Sequence, residues 1–245
     1  MTIQEIFNYL NTRAPMDTAE GWDNPGMLVG DPRREVTRVL VALDATTGAV
    51  DTAEAVGADL IVTHHPVIFA PLKRLTADSI PYRLAAAGID LIAAHTNLDK
   101  AEGGVNDTLA ARLGLTDVTV AADEYTRIGT LAEAMSARDF AAHVAGVLDT
   151  AVRYSGDKEV RTVAVCGGSG GDFMLRCIGA ADAYVTGEVR HHEWLAAAGH
   201  INVIEAGHYA TEVPVVDTLC TWLTETFPDL TVIPYRDGDP YSVVK

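Results

Sequence analysis

The chain has few cysteines, few basic residues and no long hydrophobic run, and each shortage excludes a class of protein. The three cysteines are widely spaced and form no CxxC motif, which argues against a zinc ribbon and a disulfide framework. No apolar run approaches the ~20 residues of a membrane-spanning helix. The amino terminus mixes acidic and polar residues with its apolar ones, so it lacks the hydrophobic region of a signal peptide. These absences predict a cytoplasmic protein with reduced thiols.

Basic residues are outnumbered, with 18 Lys and Arg against 34 Asp and Glu and a net charge of -16. Such a surface repels phosphate backbones and anionic membranes. We therefore expect neither nucleic acid nor a membrane as the main partner. A small anionic substrate would need local help from metal ions or backbone amides.

Apolar residues are abundant: they make up 48% of the 245 residues, enough for a core without cross-links. Apolar runs alternate with segments of helical periodicity. The pattern predicts strands over 36–43, 59–63 and 89–99, and a long helix over 211–227 with Pro214 in its first turn. Such alternation is typical of βαβ units, so we predict an α/β fold with a mostly parallel sheet.

Two segments recur in the same order. VGADLIVTHH at 56–65 resembles IGAADAYVTGE at 178–188, and AGIDLIAAHT at 87–96 resembles AGHINVIEAGH at 198–208. Junctions between helices and strands often look alike, so coincidence is the alternative. We interpret the matches as a duplicated α/β unit. Its two halves would present equivalent strand ends, with a site between them.

The segment DLIVTHHPVIF holds a pair of histidines at the end of an apolar strand. Pro66 cannot donate to a sheet ladder, so the strand should stop near His65. Open α/β sheets bind their ligands at this carboxyl end. Adjacent strand residues point to opposite faces. His64 and His65 can therefore serve one site only if the backbone turns, or if each binds a different ion.

Two later segments, HTNLD and EAGHYATE, also place histidines and carboxylates near strand ends. His208 and Glu212 are four residues apart, so on a helix they share a face and could reach one ion; a polar helix start is the alternative. Asp99 is a ligand candidate or caps the turn toward Gly103. His95 is a ligand, a partner of a ligand, or a core histidine.

Five residues form the candidate ligand set: His64, His65, Asp99, His208 and Glu212. Imidazole and carboxylate suit Zn, Mn, Fe, Co or Ni. Five ligands are too many for one tetrahedral site with an open position, but they fit two ions ~3.5–4 Å apart. Two ions would also neutralise an anionic substrate locally.

Two further polar segments have open interpretations. A glycine-rich run follows a predicted strand, and it is either a phosphate-binding loop or a plain turn with positive φ. It lacks the GK[ST] ending of a Walker loop. The residues of this run are Gly167, Gly168, Ser169, Gly170 and Gly171. The second segment is either a solvated helix face or a substrate-side group, and comprises Glu188, His191 and His192.

Taken together, six motifs resemble those of the Nif-three-like family, whose members are often named GTP cyclohydrolase I type 2 homologues. In chain order they are GWDNPGMLVG, IVTHHPVIF, AAHTNLDKAEGGVND, CGGSGG, YVTGEVRHH and EAGHYATE. They cover most of the chain, whose length is similar to that of short members without a central insertion. The YVTGEVRHH motif departs from relatives that have TGD and a Lys.

The resemblance implies a fold of two interlinked, similar three-layer α/β/α domains that bind two divalent metal ions between them. We place the first domain at residues 1–124 plus about 216–245 and the second at 125–215. The implied ligands are the five candidates above, with His95 beside the site. The resemblance further implies a homohexameric ring with the metal sites facing its cavity.

The implied activity is that of a dinuclear metal-dependent hydrolase. A metal-activated water would attack the C8 position of the GTP purine and open its imidazole ring, and the glycine-rich run could hold the phosphates. A hydrolase of another nucleotide or phosphate ester is the nearest alternative. From a different class, the alternative is a non-catalytic metal-binding adaptor or metal chaperone that forms a ring. Encirclement of DNA is opposed by the net charge of -16.

Overall fold

The structure, a computed structural model, describes residues 1–242. Within that range the helices are α1 (Ile3–Arg13), α2 (Thr47–Val56), α3 (Ile80–Ala87), α4 (Thr96–Lys100), α5 (Val105–Arg112), α6 (Ala137–Leu148), α7 (His191–Ala197), α8 (His208–Glu212) and α9 (Val215–Thr226). The strands are β1 (Gly26–Val29), β2 (Arg38–Ala42), β3 (Leu60–Thr63), β4 (Asp90–Ala93), β5 (Thr116–Val120), β6 (Arg127–Met135), β7 (Arg153–Ser155), β8 (Val160–Cys166), β9 (Ala183–Thr186), β10 (Asn202–Glu205) and β11 (Thr231–Pro234). Two 3-10 segments cover Met16–Thr18 and Gly170–Cys177. Among the described helices, none combines the length and the apolar character needed to cross a bilayer.

The first compact unit comprises Met1–Gly104 and Val215–Gly238. Its five-stranded sheet has the order β1-β4-β3-β2-β11. The last four strands of this order run parallel and β1 is antiparallel at one edge. All four residues of β3 are buried, as expected for a strand covered on both faces. Helices α2 and α3 pack their apolar residues against one face, and α9 packs beside β2 and β11.

The second unit comprises Val105–Pro214 and the segment that begins at Asp239. Its six-stranded sheet has the order β5-β6-β8-β9-β10-β7. Strands β8, β9 and β10 are parallel, and the others are antiparallel. Val163, Val185 and Ile204 face α6, whereas the alternate residues Ala164 and Tyr184 belong to the cluster on the opposite face. The unit is therefore layered α/β/α.

The two sheets repeat one arrangement, as the paired sequence segments predicted. The parallel strands β2, β3 and β4 of the first sheet are followed by the antiparallel edge strand β1, and the parallel strands β8, β9 and β10 of the second sheet are followed by the antiparallel edge strand β7. Asp59 and Asp182 occupy matching positions before the central strand. Each carboxylate accepts two backbone N–H groups, at 2.8–3.0 Å, at the start of the neighbouring strand. The fold is thus two similar α/β domains in one chain.

The unit boundaries differ from the predicted residue ranges. The prediction placed 1–124 and about 216–245 in the first domain, and the structure groups 1–104 and 215–238 in the first unit. It groups 105–124 and 239–242 with the second unit, and residues 243–245 lie outside the described residues. For 105–124 the reason is strand pairing: β5 joins the six-stranded sheet by pairing antiparallel with β6, with Thr116 opposite Thr130.

Several elements also differ from their predicted bounds. The strand predicted over 89–99 ends at Ala93, and Asp99 lies on α4. The single helix predicted over 211–227 is two helices that break at Pro214. Strands β1, β5 and β7 were not predicted. All five residues of β5 are exposed, so it carries no burial pattern that could reveal an edge strand.

Candidate metal centre

The first group of candidate ligands lies where β3 gives way to a turn. The strand ends at Thr63, which is the last residue of the predicted range 59–63 and two residues before the limit near His65 inferred from Pro66. The Thr63 hydroxyl donates to the His65 carbonyl at 2.8 Å, and the His65 amide donates to the Leu43 carbonyl at 3.0 Å. This turn brings the His64 and His65 rings to a centroid separation of 4.8 Å. The backbone therefore turns here, which is one of the two conditions under which adjacent histidines can serve a single site.

A third histidine joins the pair from the next strand. His95 is the N-cap residue of α4, and its ring centroid lies 5.2 Å from that of His64 and 5.4 Å from that of His65. One ring nitrogen from each of the three histidines lies within 4.8 Å of the other two, so the trio could hold a metal ion. Asp99, one turn along α4, places its Oδ1 3.6 Å from His64 Nε2.

Helix α4 is short, and side chains beneath it fix its start. The buried Asn97 accepts the His95 N–H at 2.9 Å and donates to the Ala14 carbonyl at 2.7 Å. Asp23 accepts from His95 Nδ1 at 2.8 Å and from the Thr96 amide at 3.0 Å. Burial alone would raise the pKa of Asp23, but hydrogen bonds from His95 and Thr96 outweigh it and hold that pKa well below its usual value.

The second group of candidate ligands lies on α8, after β10. Gly207 has a φ of +85°, which lets the chain turn from the strand into the helix. His208 begins α8 and Glu212 ends it. His208 Nε2 lies 3.0 Å from Glu212 Oε2, as their four-residue spacing predicted. Glu212 is buried, with 5% of its surface exposed.

The four histidines share one hydrogen-bonding pattern. In each, Nδ1 lies 2.7–2.9 Å from an oxygen acceptor. The acceptors are the Ala94 carbonyl for His64, Asp44 for His65, Asp23 for His95 and Glu188 for His208. A neutral imidazole that donates through Nδ1 carries its lone pair on Nε2. This is the arrangement by which proteins orient metal-binding histidines.

The distances and donor types fit a divalent metal ion. Two ligand atoms about 2.1 Å from a tetrahedral ion lie about 3.4 Å apart. The His64–Asp99 and His208–Glu212 separations of 3.6 and 3.0 Å bracket that value. The candidate set contains nitrogen and oxygen donors and no thiolate, a chemistry that suits Zn, Mn, Fe, Co or Ni.

Glu188 has a role that the sequence left open. Its Oε1 accepts from His208 Nδ1 at 2.7 Å, and its Oε2 accepts from the Ser169 hydroxyl at 2.8 Å. Burial would raise the pKa of Glu188, but hydrogen bonds from His208 and Ser169 outweigh it and lower that pKa. Glu188 thus orients His208, whereas His191 and His192 are exposed on α7.

Two other supporting carboxylates, Asp23 and Asp44, were not singled out from the sequence. Asp44 follows the end of β2, the same kind of position that pointed to His64 and His65. Asp23 lies within the GWDN turn, far from His95 in sequence. Position after a strand could have indicated Asp44, whereas only the folded chain reveals the partner of Asp23.

The glycine-rich run packs against α8. The Gly167 amide donates to Asn106 Oδ1 at 2.8 Å and the Gly168 amide donates to Thr211 Oγ1 at 3.0 Å. Gly168 has a φ of +57°, and a Cβ atom there would lie 2.0 Å from Glu212 Oε1. Two amides of the run thus bind protein groups. Phosphate binding by the rest of the run stays a prediction.

Fold and side chains together define a class: an α/β protein of two similar units, with histidine and carboxylate groups of metal-ligand type at its strand ends. The sequence profile of the Duf34/NIF3 (NGG1p interacting factor 3) family matches residues 1–240. The chain belongs to that family.

Known proteins agree with this placement. A "GTP cyclohydrolase 1 type 2 homolog" from Streptomyces coelicolor is 37% identical over 234 residues, which cover 86% of this chain and 82% of the relative. A protein of the same name from Clostridium perfringens is 33% identical over 235 residues, covering 88% of each chain. The crystal structure of a hypothetical protein from Staphylococcus aureus matches with a TM-score of 0.93 and 29% identity, covering 100% of this chain and 99% of that one.

Proposed function

We propose that this chain is a divalent-metal-dependent hydrolase that carries two metal ions. The proposed ligands are His64, His65, Asp99, His208 and Glu212. One observation carries the metal proposal: each candidate histidine has its Nδ1 held by an oxygen acceptor, which leaves the lone pair of Nε2 available to bind a metal ion. His95 has the same arrangement and is a further candidate ligand.

Bound at these residues, divalent ions would supply Lewis acidity and an activated water for hydrolysis. The protein's own groups prepare the donors. Asp44 and Glu188 fix the tautomer and the ring orientation of His65 and His208, and they increase the basicity of the ligand nitrogens. The buried position of Glu212 restricts its carboxylate to the side of His208, at 3.0 Å.

For the substrate we propose GTP, with water adding at C8 of the purine and the imidazole ring opening. The names of the two curated relatives support this choice. Two cations would also offset locally the net charge of -16, which opposes the approach of a triphosphate. The proposal includes a homohexamer, which light scattering on the purified protein would test.

The test is metal content and turnover on one purified sample. The protein is stripped, reloaded with Zn, Mn or Fe, and incubated with GTP while the ring-opened product is followed. We expect two ions per chain and product formation that disappears in Asp99→Ala. Asp229→Ala is the matched control, since Asp229 is an exposed carboxylate of the same unit.

Each outcome decides between the two classes of function. Loss of turnover in Asp99→Ala but not in Asp229→Ala supports a metal-dependent hydrolase. Two tightly held ions without turnover of GTP or other nucleotides would replace the hydrolase with a metal-binding adaptor or chaperone. Full metal content in a folded Glu212→Ala variant would contradict the ligand assignment.

A further inference from the structure

An exposed tryptophan stands beside the histidine cluster because its neighbours in the chain are anchored. In the turn 21–24, Asp23 is held by His95 and Thr96, and the Asn24 side chain donates to the Ile68 carbonyl at 2.6 Å. The Asp23 side chain is fully buried, yet 60% of the surface of the adjacent Trp22 is exposed. The turn therefore fixes an indole ring in solvent.

Phe69 completes an aromatic surface with Trp22. Their ring centroids are 5.8 Å apart, and each lies 6.2–6.3 Å from the ring of His95. Phe69 is 53% exposed. Two large aromatic side chains exposed side by side are unfavourable in water unless something covers them, and contiguous patches of this kind mark binding sites. We name Trp22 and Phe69 the aromatic platform.

The loop that carries Phe69 has an unusual charge for this protein. No Asp or Glu occurs between Leu60 and Ala77, whereas the loop contains Lys73 and Arg74. Both cations are exposed, and in residues 1–242 neither forms an ion pair. Lys73 follows Phe69 by four residues, a span of at most about 14 Å. An otherwise acidic chain therefore presents positive charge close to the platform.

We propose that the aromatic platform stacks against a planar heteroaromatic ring of the ligand and that Lys73 and Arg74 bind an anionic group on the same molecule. Aromatic side chains stack on any nucleobase through its π-face, and exposed cations attract phosphate oxygens. The platform borders His95, so the ring lies next to the candidate metal ligands. This inference rests on the proposed function. The substrate is an aromatic anion whose ring binds the aromatic platform and whose anionic group binds Lys73 and Arg74.

The competing occupant of this surface is a second copy of the chain. Leu72 and Leu75 of the same loop are also 50% and 54% exposed, which a protein interface could bury. Two observations favour the small ligand: the platform borders the histidine cluster, and the loop that carries Phe69 has a net positive charge. At an interface between two copies of the chain, these cations would face the same cations of the other copy unless acidic residues of that copy paired with them.

Isothermal titration with guanosine monophosphate, guanosine and ribose 5-phosphate tests the two parts separately. Trp22→Leu should weaken binding of the monophosphate and of guanosine by about 5- to 100-fold, the range expected for loss of one stacked base. Trp22→Phe should restore most of the lost affinity. Leu195→Ala is the control: Leu195 lies on α7 with 66% of its surface exposed, and its replacement should leave the affinity unchanged. Arg74→Gln should weaken only the phosphorylated probes, about 2- to 5-fold and less at high salt. Arg138→Gln is its exposed control.

Metal content and oligomeric state are measured on every sample, which separates this inference from the proposed function. A wild type without metals that still binds the monophosphate through Trp22 would sink the metal proposal and support the platform. Equal binding by wild type and Trp22→Leu at full metal content would overturn the platform. A Trp22→Leu variant that changes its oligomeric state at unchanged affinity would assign this surface to a second copy and overturn the inference as well.

Discussion

Replacing Gly168 by alanine is the sharpest test of how the glycine-rich run supports the candidate centre. A Cβ atom at this position would lie 2.0 Å from Glu212 Oε1 and 3.2 Å from His208 Nε2. Contacts of a Cβ atom below 3.0 Å are essentially never observed, so the Glu212 carboxylate must move by about 1 Å or more. Ligand distances in metal sites are tolerant to only about 0.2 Å. We therefore expect Gly168→Ala to lose metal bound through His208 and Glu212.

A matched control separates this clash from backbone strain. Gly168 has a φ of +57° and Gly199 has a φ of +74°, so alanine at either position costs about 1 kcal/mol or more in the left-handed region. Nothing lies within 4 Å of a Cβ atom at Gly199. Gly199→Ala should therefore show a comparable fall in urea midpoint and retain its metals.

The assay is zinc titration of the stripped protein together with urea unfolding. The Gly168→Ala variant should bind zinc at least tenfold more weakly than the Gly199→Ala variant, because the displaced Glu212 carboxylate no longer reaches the ion. Equal zinc affinity in the two variants would refute the reasoning, because Glu212 could then move without consequence. A larger side chain, as in Gly168→Val, would also displace Glu212, so any loss of phosphate binding in such a variant could not be separated from loss of metal.

Three further outcomes are expected. Glu188→Ala should weaken zinc binding about 10- to 100-fold by releasing His208 Nδ1, while Glu133→Ala, an exposed carboxylate on β6, should leave the affinity unchanged in the same titration. Asn97→Ala should lower the free energy of unfolding by about 1–3 kcal/mol in urea, because the partly buried His95 N–H and the buried Ala14 carbonyl lose their partner; a change within error would contradict the role of Asn97. Burial would raise the pKa of Asp59, but the backbone N–H groups of Thr37 and Arg38 outweigh it and lower that pKa, so its ionised form stabilises the fold above the unfolded pKa of about 4 and loses this contribution as the pH falls. Asp59→Asn should therefore lower the urea midpoint at neutral pH and have less effect in acid, and a deficit that persists unchanged in acid would exclude this origin.

Parts of the fold and candidate centre were predictable because they follow from local chemistry. The apolar runs that became β3 and β4 end in polar residues, and such ends meet at one edge of a parallel sheet. The four-residue spacing of His208 and Glu212 is enough to place them on one face of a helix. Periodicity along the chain and the chemistry of the side chains were sufficient for these statements.

The rest depended on contacts between residues distant in sequence. The start of α4 is set by Asn97 and Asp23, and Asp23 lies 72 residues from His95 in the chain. No periodicity of the HTNLD segment indicates that five-residue helix, so the strand was predicted too long. Strand β5 joined the second unit because of its pairing with β6, which its exposed residues do not reveal. Such elements form through partners, and a single sequence does not specify them locally.

Matching turns of the two similar units carry different residue types. The turn after β3 carries His64 and His65, whereas the matching turn after β9 carries Gly187 and Glu188. A Cβ atom at Gly187 would lie 2.7 Å from the His208 Cα and 2.6 Å from a carbonyl of the glycine-rich run, so no side chain fits there. The second half can offer only the carboxylate of Glu188 at this turn, and Glu188 orients His208 from the next strand end. The close packing of α8 against the glycine-rich run thus determines why the second unit presents one histidine where the first presents a cluster.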